Sequence, residues 1–270
     1  MYELWKSIII GIVEGLTEFL PVSSTGHMIL VGHAIQFTGD KADTFEVVIQ
    51  LGAILAIVVL YWRRFLVLFG LGDRGVASPS GQRLNLMHIF IGIVPALGTA
   101  YVLRDQIKKL FMPETVVIGL VIGGLFMIVA EKWSPRIRSE KLDDFTYKQA
   151  FFVGVAQILS LWPGFSRSGS TIAAGMLAGT SRAAAADFTF LMAVPIMCAA
   201  SGYDLLKSYK NFSSDDFVFF AVGFVVSFLV ALAAVATFIK LVGKLKLTYF
   251  SYYRFVLAII VLVYMKVVGF

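Results

Sequence analysis

The sequence predicts an all-α polytopic membrane protein: two re-entrant helical hairpins and six transmembrane helices in an inverted-topology repeat. Three observations predict it. The composition is that of a membrane span, the order of apolar runs occurs twice, and the two halves share residues at a fixed spacing. Of 270 residues, 59% are hydrophobic and 15% charged, and the mean hydropathy is +0.84, well outside the soluble globular range. A hydrocarbon core about 30 Å thick needs roughly 20 apolar residues per helical crossing, so this length allows about six to eight crossings in one membrane domain, 1–270. The net charge of +6 does not indicate nucleic acid, because the basic residues lie in short loops between apolar runs and act as topology determinants. The single cysteine, Cys198, excludes an intrachain disulfide framework and a cysteine-based metal site.

The first apolar run, 7–22, is short for a crossing and carries Glu14 and Glu18; Pro21 breaks it, and a second short run, 28–37, follows. Two half-length helices joined by a Pro/Ser/Gly turn read as a re-entrant hairpin, 7–37, tolerated at membrane depth only where it is buried in protein or lines a wet cavity. The N-terminal run could pass for a signal peptide, but its two glutamates and the lack of an A-x-A-like site before Pro21 predict retention. Full-length spans follow at about 44–61, 84–103 and 114–133, completing a first repeat over about 1–133. The pattern restarts at Lys148. A second hairpin, 151–179, is broken at Pro163-Gly164-Phe165, and spans at 185–206, 217–240 and 250–268 complete a second repeat over about 148–268.

Between 11–32 and 154–175 the halves align without gaps at an offset of 143, with Gly11/Gly154, Leu16/Leu159, Ser23/Ser166, Gly26/Gly169, Ile29/Ile172 and Gly32/Gly175 identical. An internal repeat follows. Three crossings per half is an odd number, so the second hairpin enters from the opposite side. Of the Lys and Arg residues, 14 fall on the side of the loops near 63–83, 132–148, 182 and 240–254 and eight on the other, with Arg167 left inside the membrane. The richer side is cytoplasmic by the positive-inside rule, which puts both termini and the first hairpin on the outer face.

Glu14 and Glu18 are four apart and share a helix face. Two such carboxylates repel unless a cation lies between them, and a hard divalent ion, Mg²⁺ or Ca²⁺, with oxygen ligands from carboxylate, water and phosphate resolves the conflict; a proton relay in a carrier is the other reading. Ser23, Ser24 and Thr25 follow Pro21 as the cap and first turn of the second half-helix. The same turn recurs at Ser166, Ser168 and Ser170, so two helix N-termini converge on one spot, which suits an anion. Arg167 carries the planar fork that matches phosphate oxygens, and an ion pair with Glu14, Glu18 or Asp187 can coexist with that role. His27, one turn after Ser24, is a candidate base, nucleophile or metal ligand. His33 and His88 lack such company. Glu46, Gln50 and Gln157 are further ligands or, for the glutamines, interhelical hydrogen-bond formers. Gly11-x-x-x-Gly15, Gly119-x-x-x-Gly123 and Gly175-x-x-x-Gly179 are close-packing faces and point weakly to a homodimer. These groups suit phosphoryl transfer on a lipid phosphate or diphosphate. The rival is a carrier or flippase for polyprenyl phosphate, since inverted repeats with broken helices are common in transporters.

The stretches E-G-L-T-E-F-L-P-V-S-S-T-G-H at 14–27 and P-G-F-S-R-S-G-S at 163–170 closely resemble the undecaprenyl-diphosphate phosphatase family linked to bacitracin resistance, and the resemblance runs the length of the chain. It implies a hydrolase of the bacterial plasma membrane that converts the polyprenyl diphosphate left by cell-wall polymerisation to the monophosphate, recycling the carrier lipid for peptidoglycan synthesis. Carried over by position, Glu14 and Glu18 are the acidic pair and metal ligands, Ser24 and His27 the catalytic candidates, and Arg167 the diphosphate clamp. Ser23, Thr25, Ser166 and Ser168 at the two helix starts are further substrate-binding candidates. The expected mechanism has Ser24, assisted by His27, attacking the terminal phosphorus; attack by His27, or by water with a glutamate as base, stays open. The geometric expectation is that Arg167 lies within reach of the Ser24/His27 turn.

Overall fold

Where the apolar runs lie, the chain is helical. The computed structural model describes residues 3–72, 83–208 and 216–268; it is 80% helical, and among the described residues there is no strand, only an isolated bridge between Ser139 and Thr180. The helices are α1 (Leu4–Thr17), α2 (Ser24–Ala34), α3 (Asp40–Leu60), α4 (Trp62–Leu68), α5 (Leu86–Val102), α6 (Arg104–Lys108), α7 (Pro113–Trp133), α8 (Tyr147–Ala156), α9 (Arg167–Leu177), α10 (Arg182–Ser208), α11 (Phe217–Val242) and α12 (Leu247–Val268). Five of them, α3, α7, α10, α11 and α12, are long and apolar enough to cross a membrane. The sixth expected span, α5, is apolar but has 17 residues. The protein is thus a polytopic helical membrane protein.

Local chemistry sets the helix starts. Asn85 caps α5 by accepting from the Met87 and His88 amides, Thr146 caps α8 through Gln149 N, and Pro113 opens α7 at a position where no amide is needed. Helices α2 and α9 begin and end 143 residues apart, and so do the starts of α1 and α8. The residue before each second half-helix is a serine in the left-handed region, Ser23 at φ 71° and Ser166 at φ 72°; two more positive-φ residues, Gln36 and Gly179, hold the same spacing after the helices end.

Packing follows the same correspondence. Helix α1 lies on α11 and α8 on α5, while α3 meets α10 and α7 meets α12. The hairpin contacts are backbone-close. A Cβ on Gly11 would come 2.9 Å from Gly223 O and one on Gly15 2.7 Å from Ser227 O, and in the other half a Cβ on Gly154 would come 2.6 Å from Gly92 O. The core is centred on α10, whose Phe188, Phe190 and Met192 are wholly buried.

Three expectations change. All three glycine faces are packed inside the chain, Gly119 against Pro163 O, Gly123 against Phe165 O and Gly175 against Ala185, so they lend no support to a homodimer. The last span starts at Leu247, and Arg254, assigned above to a loop, is inside α12 with 0% exposure. The charge balance becomes 14 − 1 = 13 against eight, with Arg74 and Lys210 outside the described residues. The short helices α4 and α6 were not anticipated; they extend apolar spans by one or two turns and leave no separate periodicity. Gln50 bears out the interhelical role by accepting from Ser201 Oγ of α10 at 2.8 Å.

Because α1 and α11 touch through backbone, Gly15→Val should overpack that contact and lower stability by about 1–3 kcal/mol, measured by denaturant titration in detergent micelles. Unchanged stability would mean that the helices do not approach so closely.

Candidate active site

The four-residue spacing of Glu14 and Glu18 keeps them one turn apart on α1. Glu18 stays in helical conformation just past its end, its amide on Glu14 O at 2.9 Å. Their surroundings differ. Glu18 is nearly buried and both its oxygens are engaged: Oε2 accepts from Ser24 Oγ at 2.6 Å and Oε1 from Arg167 Nη2 at 3.1 Å. Ser24 and Arg167 are the first residues of α2 and α9, so both helix starts meet at one carboxylate. The Arg167 guanidinium also lies 5.5 Å from the Phe19 ring centre, and Phe19 is locked edge-on against Phe190. The Arg167 Nη1 is buried and has no hydrogen-bond partner among the described residues. Arg167 is therefore within reach of the Ser24 turn, as expected, with Glu18 between them. Asp187, the other partner considered for it, instead accepts from Tyr61 Oη at 2.5 Å.

Glu14 is 4% exposed and meets no hydrogen-bond donor among the described residues. It lies in the wall of a cavity of about 700 Å³ with Ser24, Thr25, His33 and Glu46, and with apolar Met28 and Phe37. The charges of Glu18, Glu46 and Arg167 all act on it. Thr25 thus lines the cavity. Ser23 supplies backbone only. Ser166 Oγ caps α9 by accepting from Gly169 N at 3.2 Å, and Ser168 Oγ donates to Leu20 O at 2.9 Å, tying the tips of the two hairpins together. Those two hydroxyls serve the turn rather than the cavity.

His27 faces away from Ser24. Its Nδ1 is 2.8 Å from Ser23 O and its Nε2 2.7 Å from Tyr253 Oη of α12. Sequence reasoning missed Tyr253, which reads as one of several interfacial tyrosines at the start of the last span. It also missed Arg254, which donates from Nη2 to Gly119 O at 3.1 Å and to Gly164 O at 2.7 Å. The signal for Arg254 was present, an arginine inside the expected span 250–268 and followed by 11 uncharged residues, but it was counted with the charges of the preceding loop.

Among the described residues no group of three His, Cys, Asp or Glu side chains is close enough to hold a metal ion. The donor set still fits a Mg²⁺-like ion, which binds through one or two carboxylates and completes its shell with water and phosphate oxygens. Glu14, buried, without a donor and facing the cavity, is the carboxylate available for it.

The model of the bacitracin resistance protein BacA family matches residues 7–260. The chain belongs to that family. The BacA family is that of the undecaprenyl-diphosphate phosphatases, so this chain is an integral membrane hydrolase that converts undecaprenyl diphosphate to undecaprenyl phosphate and inorganic phosphate, recycling the cell-wall carrier lipid and conferring bacitracin resistance. The matched span contains both hairpins and every residue discussed here.

Arg167→Met should leave Glu18 as an uncompensated buried charge and cost about 3–5 kcal/mol of stability, with most of it recovered on adding Glu18→Gln. A denaturation double-mutant cycle measures the coupling; additive losses would mean that the pair does not interact.

Proposed function

We propose that the phosphatase reaction takes place where α2 and α9 begin, with Ser24 as nucleophile, Glu18 as its base and Arg167 as the diphosphate anchor. The observation that carries this reading is the Glu18 carboxylate standing between the Ser24 hydroxyl and the Arg167 guanidinium. A hydroxyl 2.6 Å from a carboxylate oxygen is placed to lose its proton to it. This changes the expected assistance by His27, whose two nitrogens are occupied elsewhere. The buried, unpartnered Nη1 of Arg167 is a donor that lacks an acceptor, and a phosphate oxygen would satisfy it.

In the proposed sequence Ser24 Oγ attacks the terminal phosphorus while Glu18 takes the hydroxyl proton. The anhydride P–O bond breaks and undecaprenyl phosphate leaves with the bonding electrons. Water then displaces Ser24 from phosphorus, releasing inorganic phosphate, and the proton on Glu18 returns to Ser24. Arg167 and the amides at the two helix starts hold the phosphate oxygens throughout. Glu14, with Glu18 behind it, would hold Mg²⁺ or Ca²⁺, which supplies charge neutralisation to the diphosphate when bound. Thr25 and the apolar cavity wall, Met28 and Phe37, would receive the substrate's phosphate and the start of its polyprenyl chain.

In the same reading the helix pairs α1–α2 and α8–α9 are re-entrant hairpins of an inverted repeat. The matching helix bounds, the paired positive-φ serines and the exchanged packing of α1 on α11 and α8 on α5 are what a two-fold axis in the membrane plane would produce. The balance of 13 basic residues against eight favours termini and cavity on the outer face of the bacterial plasma membrane. The same repeat favours a carrier for polyprenyl phosphate as a second activity, which phosphate release in detergent, without any gradient, separates from hydrolysis.

Ser24→Ala should reduce inorganic phosphate release from undecaprenyl diphosphate by about 10³-fold or more; a near-normal rate would remove Ser24 as nucleophile. Glu14→Gln should weaken the response of the rate to added Mg²⁺ after chelation, and an unchanged Mg²⁺ titration would take Glu14 out of metal binding.

A further inference from the structure

The start of α2 is strained. Ser23 sits at φ 71°, a region that a residue with a side chain occupies only when its surroundings hold it there. The second hairpin has the same strain at Ser166, and there the serine's own hydroxyl accepts from Gly169 N at 3.2 Å. Ser23 makes no such side-chain bond. In its place the Ser23 carbonyl meets His27 Nδ1 at 2.8 Å.

A carbonyl oxygen only accepts, so Nδ1 carries the imidazole proton and Nε2 is bare. The Tyr253 hydroxyl, 2.7 Å from Nε2, therefore donates to it, with the two rings inclined by only 11°. Tyr253 is itself fixed by its neighbour. Arg254 has 0% exposure and bonds to Gly119 O of α7 and Gly164 O at the tip of the second hairpin, so α12 cannot rotate without pulling on both. A continuous chain of bonds thus runs from α12 through Tyr253 and His27 to the Ser23 carbonyl, and the next residue is Ser24.

We propose that Tyr253 is a positioning residue for the phosphatase reaction: through His27 it braces the Ser23 turn and aims the Ser24 hydroxyl at Glu18 and at phosphorus. This rests on the reading of Ser24 as nucleophile and explains why a histidine lies one turn after it with neither nitrogen directed at it. The first hairpin has a serine, Ser23, where the second has Ser166, but Ser23 makes no cap bond; His27 and Tyr253 hold the turn in its place.

The test is Tyr253→Phe in the full-length protein in detergent. Tyr253 is 49% exposed, so losing the hydroxyl opens no buried cavity, and thermal unfolding should not move. Histidine-selective ¹⁵N spectra, with His27 assigned by its loss in His27→Gln, should show the Nδ1–H tautomer in the parent and mixed tautomers in Tyr253→Phe. Undecaprenyl diphosphate hydrolysis should show kcat lower by about three- to tenfold with KM within about twofold, and Tyr253→Phe should cost nothing further in the His27→Gln background. An unchanged tautomer with unchanged kcat overturns the proposal, and so do losses that multiply in the double variant. The underlying reading fails separately: if Ser24→Ala turns over normally the nucleophile is wrong, whereas an inactive Ser24→Ala beside a fully active Tyr253→Phe overturns the brace alone.

Discussion

The ion pair between Glu18 and Arg167 joins two hairpins 149 residues apart in sequence, and the arrangement of the helices around it answers to that requirement. A carboxylate and a guanidinium this deeply buried are each expensive alone and tolerable together. Bringing them together needs the hairpin tips to touch, which Ser168 secures through Leu20 O. It also needs the long helices behind them to let each hairpin sink in. The glycine contacts of α1 on α11 and of α8 on α5 do this, since any side chain there would hold the hairpins away from the centre.

The two hairpins share a backbone and divide the chemistry. At equivalent positions stand Ser24 and Arg167, Glu14 and Gln157, and His27 and Ser170. One half supplies hydroxyl and carboxylates, the other the cation. Their surroundings diverge accordingly. Helix α2 borders the cavity of about 700 Å³, while α9 is buried without interruption from Ser168 to Met176, with Thr171 bonded to Thr189 of α10 at 2.8 Å and Gly175 seated on Ala185. Of the two helices at equivalent positions, packing leaves only α2 on a cavity.

Much of this was legible in the sequence because membrane depth leaves few alternatives. A glutamate pair, a Ser/Thr turn and an arginine inside apolar runs stand out against composition, and the spacing of the apolar runs located the helices α1, α2, α8 and α9 to within a few residues. What was not legible depends on packing. The role of Ser168 looked like substrate binding because its neighbours are alike in sequence, and only the approach of Leu20 shows where its hydroxyl points. Tyr253 is one of four tyrosines between 249 and 264, and nothing in their spacing singles out the one that meets His27. Arg254 was counted with the loop near 240–254 although the expected span 250–268 already contained it, and only its bonds to Gly119 O and Gly164 O show that it belongs to the core. The glycine faces were recognised correctly as close-packing, but a sequence cannot say whether the partner helix belongs to the same chain.

The state of the site before substrate arrives bears on enzyme against carrier. A carrier needs groups that bind a lipid phosphate and then release it on the other side, so its polar contacts should be reversible and open to both faces. Here the Ser24 hydroxyl already rests on Glu18, the Glu18 carboxylate is held by Arg167, and Arg167 keeps one buried nitrogen free for an anion. Moving that set to a second face would break a buried ion pair. In hydrolysis the same rigidity is an advantage: the reacting groups are ordered before binding, so the substrate's binding energy is not consumed in assembling them. Under the proposed mechanism the chemistry takes place at a fixed site, and any movement of lipid across the membrane would have to leave the Glu18–Arg167 pair intact.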